Sequence, residues 1–355
     1  MQVSKIRDFS PKKLESFIVE LGEKPYRARQ VCKWLYQKEV TSFDEMTDLS
    51  VETRDKIKSI FDIEPSLKIL EEQKSTDGTI KYLFELSDSN RIESVIIPEK
   101  KRFTLCISSQ VGCALACRFC LTGTVGKIRN LDTSEIVDQY LFISNRLPGP
   151  ITNIVFMGMG EPLDNIEKVV DTIEILTDKN SIGMSPKRIT VSTSGLVSGI
   201  KELGKRISVN LSISLNASND KTRDEVMPIN KKYPIKKLIN TAVKYPLPSR
   251  KTLTFEYVLL KGVNDSAQNA YEVVELLRGI NCKINLIPFN EAYPLPYKTP
   301  EMNRVYEFQK ILENAKINAK IRKSRGRDIL GACGQLAAKY PHKILDRKKV
   351  KNADI

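Results

Sequence analysis

Cys113, Cys117 and Cys120 fall within eight residues, in the run Gly112-Cys113-Ala114-Leu115-Ala116-Cys117-Arg118-Phe119-Cys120. Thiolates are the ligands of iron–sulfur clusters, and loop cysteines separated by three and two residues can converge on one centre. Three ligands leave one iron of a four-iron cluster open. An open iron can chelate the amino and carboxylate groups of S-adenosylmethionine (SAM), pass it one electron and cleave the sulfonium to a 5′-deoxyadenosyl radical. Zinc is the rival, but a structural zinc site takes four protein ligands, and the one histidine, His342, lies in the tail. Three buried structural cysteines fit this spacing less well. The seven cysteines of the chain are an odd number, and their crowding favours a metal site over a disulfide framework.

The cysteine run follows a strand pattern, Phe103–Ser108, and from there strands alternate with helices. Further strands are expected at Ile151–Met157, Arg188–Thr193, Ile207–Leu215, Leu253–Leu260 and Lys283–Phe289. Helical patterns lie between and after them at Thr133–Asn145, Asn165–Asp178, Val197–Gly204, Ile235–Lys244, Ala267–Arg278 and Pro300–Ala315. Six successive βα units imply parallel strands with right-handed crossovers, hence an α/β fold built as a partial (βα)6 barrel. Sites on such scaffolds sit at the C-terminal ends of the strands, where the unusual residues fall. One more strand, Ala319–Lys323, precedes a glycine-rich segment.

Ahead of the barrel the chain reads as a small helical accessory unit. Ser10-Pro11 supplies an N-cap and first-turn proline, Leu14, Phe17, Ile18 and Leu21 make one helical face, and Gly22 is a stop. Helices are expected at Tyr26–Lys38 and Val51–Ile60. Ile80, Tyr82, Phe84 and Leu86 then alternate with polar residues as in a half-buried strand. In the next strand, Arg91–Pro98, Glu93 stands in the run Arg91-Ile92-Glu93-Ser94-Val95 and by pattern alone faces solvent. The expected division is residues 1–75 as a helical N-terminal accessory domain, 76–98 as a strand-containing connector, 99–340 as the core barrel and 341–355 as a basic tail.

Against 43 acidic residues stand 57 Lys and Arg, a formal charge of +14. That balance points to a polyanionic partner, with nucleic acid ahead of an anionic membrane. The sequence has no apolar run long enough to span a bilayer and no basic amphipathic helix of anchoring length. Met1 to Glu20 lacks the apolar core of a signal peptide, so a cytoplasmic location with reduced thiols is expected. Arg322, Lys323, Arg325 and Arg327 cluster just before Cys333, a basic group that would suit a nucleic acid; Lys343, Arg347, Lys348, Lys349 and Lys351 read as a solvated tail.

The Cys-x3-Cys-x2-Cys run after the first barrel strand resembles the radical-SAM superfamily. A closer resemblance, over nearly the whole chain, is to the dual-specificity ribosomal and transfer RNA adenine-C2 methyltransferases. It is carried by Cys106-Ile107-Ser108-Ser109-Gln110-Val111-Gly112-Cys113, Phe156-Met157-Gly158-Met159-Gly160-Glu161-Pro162-Leu163, Met227-Pro228-Ile229-Asn230 and Gly331-Ala332-Cys333-Gly334-Gln335-Leu336. The resemblance implies one [4Fe-4S] cluster on Cys113, Cys117 and Cys120, and two SAM per turnover. It places Gly160 and Glu161 at the SAM methionine group, and Ser192, Ser214, Leu215, Asn216 and Asn290 on other SAM contacts. Asn216 stands where His is expected in many relatives. Cys333 is then the methyl-carrying cysteine, Cys106 its resolving partner and Glu93 the general base; Cys32 and Cys282 read as structural. The implied partners are 23S rRNA, tRNA, an external electron donor and a thiol reductant, with the enzyme a monomer. Two alternatives are adenine C-8 methylation conferring ribosomal antibiotic resistance, and a non-catalytic RNA-binding protein with a structural metal site. Glu161-Pro162-Leu163 and Gln110-Val111-Gly112 read as the C-2 type.

Overall fold

The computed structural model describes residues 4–100 and 102–338. His342 and the basic residues Lys343, Arg347, Lys348, Lys349 and Lys351 of the tail 341–355 lie outside the described residues. Ten strands form one sheet: β1 (Leu67–Lys74), β2 (Ile80–Leu86), β3 (Arg91–Glu99), β4 (Arg102–Cys106), β5 (Ile151–Phe156), β6 (Ile189–Thr193), β7 (Asn210–Ser214), β8 (Leu253–Leu259), β9 (Cys282–Pro288) and β10 (Asn318–Ile321). Their spatial order is their chain order. From β4 to β10 every pairing is parallel, whereas β1 to β4 pair antiparallel. The two ends do not meet, so the barrel is partial.

Three helices precede the sheet: α1 (Pro11–Glu20), α2 (Tyr26–Tyr36) and α3 (Val51–Lys58). Six more cover the parallel strands: α4 (Thr133–Ser144), α5 (Ile166–Thr177), α6 (Val197–Arg206), α7 (Ile235–Ala242), α8 (Ala267–Leu277) and α9 (Met302–Asn314). These follow the expected βα alternation closely. One strand starts late: Ile207 still donates its amide to Leu203 O, closing α6, so β7 begins only at Asn210. Ser10 makes no side-chain capping bond, and α1 is opened by Pro11 in its first turn. Its other end is closed as expected, by the Gly22 and Glu23 amides on Val19 O and Ile18 O.

The main core runs between the sheet and its helices, with Leu105, Ile154, Val191, Ile213, Phe255 and Leu286 fully buried on successive strands. β2 departs from the half-buried alternation. Lys81 and Leu83 are buried along with Tyr82, Phe84 and Leu86, because its second face is also covered. α1 to α3 have a separate core that includes Ile6, Leu14, Ile18, Leu35 and Phe61 and closes on Val137 and Leu141 of α4 and Ile175 of α5. Polar contacts reinforce that seam: Lys13 with Asp171 (2.5 Å), Lys12 with Glu174 (2.9 Å) and the Ser134 amide donating to Asp8 (2.9 Å). Hydrogen bonding assigns Leu67–Lys74 to the sheet, not to the helical unit. Among the described residues no helix is long and apolar enough to cross a membrane.

Candidate active site

Beyond β4 the chain runs over the C-terminal end of the sheet and carries Cys113, Cys117 and Cys120 in one loop. The loop is tied down by its backbone: Cys113 N donates to Gly126 O (3.0 Å), Cys120 N to Cys117 O (3.1 Å) and Arg118 N to Val226 O (3.0 Å). Cys117 packs with Val226, Met227, Leu260 and Phe289 in a small apolar cluster beneath the loop. Burial pushes the Cys117 thiol up to about 12, and the neighbouring Cys120 adds to the rise. Burial likewise raises Cys113, with Cys117 and Cys120 contributing. The three thiols therefore share one electrostatic neighbourhood. Among the described residues no three Cys, His, Asp or Glu side chains stand already spaced around a metal ion. The donor set nonetheless fits an iron–sulfur cluster, being three thiols on one loop above an apolar floor.

The segment after β5 is drawn against the segment after β4. A Cβ on Gly158 would lie 2.6 Å from Ile107 O, and one on Gly160 (φ +100°) 2.5 Å from the Gln110 side chain. These glycines thus let the two segments pack more closely than a side chain would allow. The packing sets Glu161, which is 2% exposed. Its carboxylate accepts from Ser194 N (2.8 Å) and Leu163 N (3.2 Å), and its own amide donates to Gln110 Oε1 (2.8 Å). Burial outweighs those bonds and lifts its pKa to about 7. A buried carboxylate held this way suits an ammonium group.

Ser192 lies on β6 and Ser214 at the end of β7, both half-buried, with Leu215 and Asn216 buried beyond it. Asn216 adopts φ 54°, a left-handed conformation that Asn tolerates. Its amide is spent inside the protein, accepting from Val258 N (2.7 Å) and donating to Met227 Sδ (3.2 Å). Asn290, after β9, donates to Cys333 O (3.2 Å), while its buried Oδ1 has no hydrogen-bond partner. An unmet acceptor beside these strand ends fits a ligand that brings donors.

Cys106 is the last residue of β4 and is buried. Burial raises its thiol, and Cys333 adds to the rise. Cys333 is open to solvent yet ringed by protein, which pushes it up to about 11; Glu256, Arg322 and Cys120 are among the charges it feels. Cys333 is thus within electrostatic reach both of Cys106 and of Cys120 in the three-cysteine loop. The Cys333 turn is stitched to that loop, since Leu121 N donates to Gly334 O (2.8 Å) and Thr122 Oγ1 to Leu336 O (2.7 Å). Glu93 does not face solvent. It is 2% exposed, paired with Lys81 (3.0 Å), and its Oε2 accepts from the amides of Ala337 and Ala338 (2.9 Å each).

Sequence reasoning missed Lys81, Asp77, Asp328 and Arg223. The turn between β1 and β2 grips the chain ahead of Cys333: Ser75 Oγ and Thr76 N donate to Asp328 (2.5 and 3.1 Å), and Gly326 N donates to Asp77 (3.0 Å). In the basic cluster, Arg325 turns toward Asp77 (3.9 Å) and Arg327 donates to Phe289 O (3.2 Å), whereas Arg322 and Lys323 are exposed. Cys32 and Cys282 have thiols raised by burial to about 12 and about 11, away from the site residues.

Residues 4–63 match the family described as "Ribosomal RNA large subunit methyltransferase N-terminal domain", and residues 107–277 match the "Radical SAM superfamily". A "Dual-specificity RNA methyltransferase RlmN" of Syntrophus aciditrophicus is 50% identical over 336 residues, 94% of this chain and 96% of its own. One of the same name from Geotalea uraniireducens is 45% identical over 98% of this chain and 100% of its own. Among solved structures, a radical SAM methyltransferase from Sphaerobacter thermophilus aligns at 40% identity and a TM-score of 0.87, covering 95% of this chain and 100% of that one.

Proposed function

The chain belongs to the radical SAM RNA methyltransferases of the dual-specificity RlmN family, and from that premise we propose that it methylates C-2 of an adenosine in 23S rRNA and in tRNA through an S-methylcysteine at Cys333. The family uses SAM and a [4Fe-4S] cluster. Cys113, Cys117 and Cys120 would hold one such cluster, and Glu161, Ser192, Ser214, Leu215, Asn290 and the Gly160 and Asn216 backbones would line the SAM pocket. Bound there, these groups supply an electron, a methyl group and a carbon-centred radical, with two SAM used per turnover.

Adenine C-2 is not nucleophilic, so the protein must carry the methyl carbon itself. Cys333 takes it on sulfur, and as a methylene bridge that carbon joins Cys333 to C-2 of the base. Glu93 accepts the C-2 proton, once Ala337 and Ala338 release its Oε2. With the adduct's unpaired electron returned to the group that supplied it, the Cys106 thiolate attacks the Cys333 sulfur, the carbon–sulfur bonding pair stays with the methylene carbon, which takes a proton to become the methyl group, and a Cys106–Cys333 disulfide is left. A thiol reductant reopens it, which suits a cytoplasmic enzyme. The helical unit and the basic residues before Cys333 hold the RNA, whose target base must leave its stack. An external electron donor and a monomeric state complete this reading.

Its main support is that Cys333 is solvent-open and lies within electrostatic reach of Cys106 and of Cys120, on a turn hydrogen-bonded to the three-cysteine loop. Cys106→Ala should still methylate Cys333 and join it to RNA, then stall as a nuclease-sensitive adduct on a denaturing gel. Cys333→Ala should give none. Normal turnover by Cys106→Ala sinks the two-cysteine route, and mass spectrometry of the product separates C-2 from C-8 methylation.

A further inference from the structure

Arg223 is fully buried, in the short helix Asp220–Val226 behind the cluster loop. Its guanidinium makes four hydrogen bonds, all to neutral acceptors: Leu215 O (2.9 Å), Ser214 O (2.9 Å), Ser194 O (2.7 Å) and Asn230 Oδ1 (3.0 Å). Three of the four are carbonyls at the ends of β6 and β7. Asn230 is the last residue of the Met227-Pro228-Ile229-Asn230 motif, for which the reaction above has no use. Its Nδ2 donates to Asp220 (2.9 Å) and Asp224 (2.7 Å), so the amide stands between these carboxylates and the guanidinium.

Ser194 is where the parts meet. Its amide holds Glu161, its carbonyl accepts from Arg223, and its hydroxyl lies 3.8 Å from the Cys117 sulfur. The helix that carries Arg223 also accepts, at Val226 O, the amide of Arg118 in the cluster loop. A planar guanidinium can bond several acceptors at once in a fixed geometry, which an ammonium cannot. A buried cation without a directly paired carboxylate is costly unless an anionic group completes it, and three thiolates on iron are such a group.

We propose that Arg223, steadied by Asn230, is a positioning residue of this site, locking Ser194, Ser214 and Leu215 into the arrangement that binds SAM and setting a buried positive charge against the Cys117 side of the cluster. The inference rests on reading those strand ends as the SAM pocket. The test uses full-length, anaerobically reconstituted protein with the cluster oxidised, in a Cys333→Ala background so that no methyl group is consumed. SAM affinity is measured by calorimetry and the cluster midpoint potential by EPR-monitored titration.

Arg223→Met should shift the midpoint to more negative values, because a nearby cation favours the added electron, and should weaken SAM about tenfold or more, the scale of losing hydrogen bonds to a charged group. Arg223→Lys should keep the midpoint near that of the parent while weakening SAM. Asn230→Ala, which leaves the charge in place, should do the same. If Arg223→Met does not fold, the other two variants decide. Parental SAM affinity in folded Arg223→Lys and Asn230→Ala overturns the proposal, as does an unchanged midpoint in folded Arg223→Met. A general structural role would lower thermal stability and leave both readouts of the folded protein unmoved. Failure of the parent to bind SAM would instead count against the proposed function.

Discussion

At position 93 a carboxylate sits where strand alternation would put a solvent-facing residue, and its two oxygens are divided between Lys81 and the amides of Ala337 and Ala338. Both members of the Glu93–Lys81 pair are buried, so removing one strands the other's charge. Lys81→Met should therefore cost about 3–5 kcal/mol, read from urea denaturation, and a loss below about 1 kcal/mol would mean the pair is not closed to water. The double change to Lys81→Met with Glu93→Leu should recover much of that loss. The cysteine run was legible because its information is local: three thiols at fixed spacing after a strand. The burial of Glu93, Lys81 and Arg223 was not. Arg223 stands in Asp-Lys-Thr-Arg-Asp-Glu, which reads as the wet face of a helix, and the acceptors that meet it inside the protein come from distant chain at the ends of β6 and β7 and from Asn230. Asn216, which the resemblance puts at the SAM pocket, has its side-chain amide bonded to Val258 N and Met227 Sδ, contacts that no local pattern announces.

Between elements, the β1–β2 turn acts as a clasp on the chain before Cys333. Although burial opposes ionisation of Asp77, hydrogen bonds from Thr79, Gly326 and Ser75 outweigh it and hold its pKa at about 2. A pKa depressed below the unfolded value of about 3.9 contributes stability that is present above that value and lost as pH falls through about 2. The clasp should thus survive acidification to about pH 3, and carboxylate NMR of Asp77 showing ordinary titration near 4 would refute it. Asp77→Ala should speed alkylation of Cys333 at neutral pH while iron content stays at the parental level. Faster alkylation with lost iron would tie the clasp to cluster loading instead. The helices and strands of the barrel were readable to within a few residues, since period 2 and period 3.6 alternate cleanly along the chain. That β1 to β3 extend the same sheet was not readable. Pairing between β3 and β4 leaves no trace in the periodicity of either.

Across the whole molecule, the helical unit shares its core with Val137, Leu141 and Ile175 of the barrel helices. Removing residues 1–63 should uncover these apolar side chains and release Asp171 and Glu174 from Lys13 and Lys12, lowering the melting temperature. SAM cleavage should remain measurable while RNA methylation falls further; equal loss of both would show that the unit serves the fold alone. A cut at residue 75 also deletes β1 and does not separate these effects. The stitching of the Cys333 segment has one more consequence, for the order in which the protein is made. Ser75 bonds Asp328 across 253 residues, and Glu93 bonds Ala338 across 245. Contacts of such separation close late, because the loop entropy falls due before they form. On the ribosome, the sheet from β2 to β9 can be in place while Cys333 is still unsynthesised or inside the exit tunnel. The Cys333 segment is thus docked last, on a finished scaffold, and pulse-labelled hydrogen exchange during refolding should find the amides of Ala337 and Ala338 protected after those of the central strands.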